Sequence, residues 1–159
     1  MKGEDMRALR ISLLAILLLL APLAFNVHPQ DQQYGTIYFY RVHERDALAM
    51  GGKSAYVYLD DKKILSMTEE RFVGVRLQPG HYVIKLKTKA TETPITVEAG
   101  KMYFFRVSKT AQSTYIHDLI KTDDEQAIYQ IRDLKPLEDK NISEKSLQIT
   151  RDKPDNPKS

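Results

Sequence analysis

From Gly35 onward, apolar and polar residues alternate with period two in short runs divided by turn signals, the pattern of half-buried strands. The alternation predicts strands over Gly35–Val42, Ala55–Asp60, Lys63–Met67, Arg71–Leu77, His81–Lys87, Ile95–Glu98, Met102–Ser108 and Thr114–Lys121. Asp60-Asp61-Lys62-Lys63 reads as a polar hairpin turn, and Ala99-Gly100-Lys101 as another tight turn. In Leu77-Gln78-Pro79-Gly80-His81, Pro and Gly occupy the central positions of a type II turn. Parity points Val73, Val75, Leu77, Tyr82, Ile84, Leu86, Tyr103, Phe105 and Val107 inward, joined by Ala55, Val57 and Leu59. The opposite parity carries Arg76, Lys85, Lys87 and Arg106, so that face is expected to meet water.

At Thr122-Asp123-Asp124-Glu125 the period changes. This is a capping-box pattern, with Thr122 as cap and Ala127, Ile128, Ile131 and Leu134 on one stripe ahead of Pro136. The helix is expected to cover an open end or edge of the sheets. Residues 137–159 are polar and charged and read as a disordered tail with weak structure near Leu147 to Ile149.

The other apolar run, Ile11 through Phe25, lies behind Arg7 and Arg10. It matches the apolar length of an export signal better than the span of about 20 residues that a membrane helix needs. Pro22 breaks the helix where a peptidase must reach extended chain. Residues 1–28 are therefore expected to be a signal peptide or signal anchor, delivering the domain to the periplasm or outside the cell. The alternative is a membrane tether formed by uncleaved residues 11–27. Glu4 and Asp5 are unusual for a basic n-region, and a chain starting at Met6 fits it better.

The composition limits what the domain can do. The chain has 159 residues, and without the leader and tail it is long enough for one modest core, placed at 35–136. It has no cysteine, which excludes disulfides, thiol catalysis, thiolate metal sites and a lipidated cysteine. The net charge is +3, with lysines dispersed among acidic residues rather than gathered on one face, and nucleic acid is not an expected partner.

Candidate chemistry is sparse. Residues 47–54 end in Gly-Lys-Ser, but Ala47 stands where a phosphate-binding loop has its first glycine, and a strand follows instead of a helix. His28, His43, His81 and His117 form no spaced metal-binding pair, and Ser66, Ser108 and Ser113 have no glycine-flanked elbow. No catalytic, cofactor-binding or metal residues are assigned. The aromatic residues offer more. Tyr38 and Tyr40 share one parity of the first strand, and Tyr56 and Tyr58 share one parity of the second. If all four face outward they make a patch that could stack sugar rings or a peptide, with Arg41 or Arg106 donating hydrogen bonds. Otherwise one pair packs under the helix and the other is ordinary cross-strand pairing.

Ile37-Tyr38-Phe39-Tyr40-Arg41-Val42 and Met102-Tyr103-Phe104-Phe105-Arg106-Val107 nearly repeat each other, with Val57-Tyr58-Leu59-Asp60 and Leu77-Gln78-Pro79-Gly80-His81-Tyr82 between them. In this order the chain resembles an uncharacterised family of bacterial envelope domains, immunoglobulin-like sandwiches often found behind a signal or lipoprotein peptide. It is also similar, through Leu-x-Pro-Gly-x-Tyr, to carboxypeptidase-regulatory-like sandwiches. The resemblance spans about Gly35 to Leu119 and brings no catalytic residues. Similar environments for two strands explain the near-repeat better than duplication does. The expectation is an all-β, immunoglobulin-like antiparallel sandwich of about seven or eight strands with one C-terminal helix. Its expected role is a non-enzymatic binding module of the bacterial envelope, with an envelope protein or glycan as partner and the membrane reached only through an uncleaved N-terminal segment. A carbohydrate-binding module built on Tyr38, Tyr40, Tyr56 and Tyr58 is the alternative, followed by a hydrolase with a dispersed site.

Overall fold

The computed structural model describes residues 33–43, 54–87, 92–110 and 113–155; the expected leader lies outside them. Among the described residues the strands are β1 (Gly35–Arg41), β2 (Ala55–Leu59), β3 (Lys62–Met67), β4 (Arg71–Leu77), β5 (Gly80–Leu86), β6 (Glu92–Val97), β7 (Met102–Thr110), β8 (Ser113–Thr122), β9 (Lys135–Pro136) and β10 (Gln148–Thr150). Among the described residues one α-helix, α1, spans Asp124–Ile131, and a single 3-10 turn spans Asp139–Asn141. The strands form two sheets, one ordered β10-β4-β1-β7-β8 with β9 also on β4, the other β3-β2-β5-β6.

Between the sheets lies the main core, to which Ile37, Phe39, Val57, Leu65, Val75, Ile84, Phe105 and Val107 contribute fully buried side chains. The alternation located all eight strands from β1 to β8 and their inward faces. Asp60 and Asp61 both have positive φ, 47° and 66°, as a two-residue hairpin turn matching the strand twist requires. Gly100, with φ 72°, fills the left-handed position of the β6–β7 turn. The expected type II turn at Pro79-Gly80 does not form. Gly80 is instead the first residue of β5, paired with Val97, and the Tyr82 hydroxyl braces the bend by donating to the Gln78 carbonyl at 2.9 Å.

The larger sheet is mixed rather than antiparallel. β1 runs antiparallel to β4 but parallel to β7, and β9 runs parallel to β4. Chain connectivity explains this, because β1 and β7 are separated by the whole second sheet and are free of hairpin geometry. The two near-repeated segments are these neighbours, in a register that sets Tyr38 beside Phe104 and Tyr40 beside Arg106. Aligning the repeats would instead set Tyr38 against Tyr103. The one-residue offset turns matching side chains to opposite faces, so Arg41 points between the sheets and Arg106 points away. Both strands nevertheless have both faces covered, which accounts for their continuous apolar runs.

A third layer covers the face of the larger sheet that was expected to meet water. Ala127 and Ile131 of α1, with Leu134 beyond it, pack on Tyr38, Tyr40, Phe72 and Phe104. The helix cap is Asp123, whose carboxylate accepts from the Gln126 N–H at 2.9 Å; Thr122 is the last residue of β8 rather than the cap.

The expected disordered tail is ordered through residue 155. Leu137 is buried in the main core and its N–H donates to the Phe72 carbonyl at 2.8 Å. Ile142 bridges to Leu65, the N–H of Ser143 reaches the Ile64 carbonyl at 2.8 Å, and β10 then pairs antiparallel with β4. This arm covers the backbone edges of β3 and β4 on one side of the sandwich. Its hydrophobicity is low because a few anchors hold it, and ladder hydrogen bonds, which any sequence can make, do the rest.

Candidate functional site

The structure separates the candidate tyrosines into two unrelated places. Tyr38 and Tyr40 lie beneath α1 and do not contribute to an exposed patch. Tyr38 stacks on Phe104 with centroids 5.4 Å apart and planes at 12°. The Tyr40 hydroxyl donates to Gln130 Oε1 at 2.9 Å and lies 3.1 Å from Thr122 Oγ1, tying β1 to the helix and to the end of β8. Burial holds this phenol above its ordinary pKa, against the opposing pull of the Thr122 hydrogen bond. A buried Tyr needs a partner for its hydroxyl, so this pair joins layers rather than offering a ligand surface.

Arg41 is also removed from the patch. Its side chain is fully buried at the end of the inter-sheet space, where Nη2 donates to Glu69 Oε1 at 3.0 Å. Lys109 reaches the same oxygen at 2.8 Å from the end of β7, and His43 Nδ1 lies 3.6 Å from the other. Burial alone would raise the pKa of Glu69, but the Lys109 hydrogen bond and the charges of Arg41, Lys109 and His43 outweigh it and hold the carboxyl below its usual range. A carboxylate locked in its charged form serves as a counter-ion and is unsuited to general-acid work. Arg41 shares the inward parity of Ile37 and Phe39, which was the available signal for its burial. Its partner was not legible because Glu69 lies 28 residues further on, in the β3–β4 turn.

What remains of the patch lies on the outer face of the smaller sheet. Tyr56 and Tyr58 project from the central strand β2, half-exposed, between lysines of both neighbouring strands. Lys63 of β3 and Lys87, just after β5, place Nζ 4.1 Å and 5.4 Å from the centroid of the Tyr56 ring. Lys85 is committed elsewhere, bound to Asp61 at 2.6 Å and to Glu92 at 2.8 Å, which raises its pKa. His81, Glu92, Pro94 and Thr96 complete an exposed rim, and no described element packs across this face.

A shallow groove of about 470 Å³ lies on the helix side, between Ile128, Tyr129 and Arg132 of the α1 region and Lys153-Pro154 of the arm. Among the described residues, no group of three His, Asp or Glu side chains is placed to hold a metal ion. No described helix is long and apolar enough to cross a membrane.

Residues 31–118 match a protein family described as "Protein of unknown function (DUF2846)". No curated protein and no solved structure matches the chain.

Proposed function

The chain belongs to this family of unknown function, which matches more than half of its length, and from that footing we propose that it is an exported, non-enzymatic binding module of the bacterial cell envelope. The immunoglobulin-like classification of the sandwich is part of this reading. So is delivery by the apolar run 11–25, either released by cleavage or kept as a tether.

One observation carries the proposal: the two sheets are covered unequally. On the larger sheet α1 covers β4, β1 and β7 and the C-terminal arm edges β4, whereas the outer face of the smaller one presents Tyr56 and Tyr58 with their flanking lysines to solvent. Tyrosine combines a flat apolar body with a polar tip, so such a face can bind a ligand without rearranging the core. Placing a photo-crosslinking residue at position 58 in the native envelope tests this, with position 129 on the helix side as control. An adduct formed from 58 and not from 129 is expected; identical adducts from both, or none from 58, would remove this face from the account. A substrate-dependent activity of the purified chain, abolished by a single histidine or carboxylate substitution, would overturn the non-enzymatic reading.

A further inference from the structure

We infer that the open face around Tyr56 takes an acidic glycan, a sugar chain bearing carboxylate or phosphate groups; this rests on the reading of that face as the binding surface. Lys63 and Lys87 approach one ring from opposite neighbouring strands, and the carboxylates nearby, Asp61 and Glu92, are already held by Lys85. The face therefore presents two ammonium groups, neither bonded to a carboxylate among the described residues, over one aromatic ring.

An exposed ammonium–ring contact is weak compared with a charge-assisted hydrogen bond to an anion. An arriving anion draws both lysines off Tyr56 and frees its ring face. A pyranose carries both matching parts, a C–H face for the ring and an acidic substituent for the ammoniums.

The competing partners fit less well. A bilayer surface needs apolar side chains that enter the acyl region, and the exposed large apolar residues among those described, Ile120 and Tyr129, lie elsewhere. The centre of a protein interface is depleted in lysine, whereas here lysines flank the aromatic residue directly.

The full chain is to be titrated by affinity electrophoresis and calorimetry with polygalacturonate, with its fully methyl-esterified form, and with phosphatidylglycerol vesicles. Binding to polygalacturonate and none to the ester are expected. Lys63→Gln and Lys87→Gln should each weaken binding about tenfold, the loss of one charge-assisted contact. Tyr56→Ser should weaken it with the fold retained by circular dichroism. Equal binding of the ester, binding of the vesicles alone, or no binding of polygalacturonate overturns the acidic-glycan assignment. If the position 58 adduct persists while polygalacturonate fails, the ligand class is wrong and the face is right; if both fail, the reading of the face falls with it.

Discussion

Glu69 shows at the scale of one residue how charge is stored in this sandwich. It is the counter-charge shared by Arg41 and Lys109, whose side chains are 0% and 5% exposed, so neutralising it leaves cations buried without that partner. Glu69→Gln should cost about 3 kcal/mol, measured by urea denaturation. Lys109→Met together with Glu69→Gln should cost less than the two single changes added, because the pair is removed as a unit. The linkage has a definite sign. The folded-state pKa of Glu69 lies below its ordinary 4.5, so its contribution is fully present above that value and is lost as pH falls through the folded pKa. Wild-type stability should therefore fall on the acid side of about pH 4.5 more steeply than that of Glu69→Gln. Parallel acid limbs in the two proteins would show that Glu69 carries none of the pH dependence.

Single elements were legible wherever a local rule acted alone. Period-two alternation located β1 to β8, and the Asp60-Asp61 pair supplied a turn that needs two positive φ values. Elements whose place depends on distant partners were not legible. That one tyrosine pair packs under the helix is among the readings, but nothing near Tyr38 or Tyr40 says that theirs is the pair a helix more than 80 residues later covers. In residues 137–155 the weak structure expected near Leu147 to Ile149 marks the place of β10, but the low hydrophobicity around it suggests disorder, because β10 is recruited by an unpaired β4 edge. Gly74 records that docking. A Cβ there would lie 2.3 Å from the Thr150 methyl and 3.0 Å from the Tyr38 ring. Gly74→Val should displace β10 and cost about 1–3 kcal/mol by thermal melt. Leu137→Ala, which empties a core position at the root of the arm, should cost about 2–5 kcal/mol. If neither change shifts the melting temperature, the arm does not contribute to the fold's stability.

Across the whole molecule, residues 31–118 hold both sheets' main strands, yet the layers are completed by residues nearer the C-terminus: the end of β8, α1 and the arm. A chain ending at Pro136 should keep strand content by circular dichroism but lose thermal stability and self-associate in size-exclusion chromatography. Its β3 edge and the Gly74–Arg76 stretch of the β4 edge would be bare, and bare edges recruit other strands. A monomer of unchanged stability would show that the edges need no cover. The open face of the smaller sheet makes the complementary point, because tyrosines and lysines can stay in water there only while the core below is complete without them.

The arm also introduces an order in time. Synthesis runs from the N-terminus, so β4 is made long before residues 148–150 exist to pair with it. Throughout that interval the nascent sandwich carries an unclosed seam, which residues 148–150 fasten. Until they do, the edge of β4 is open to any strand that can pair with it.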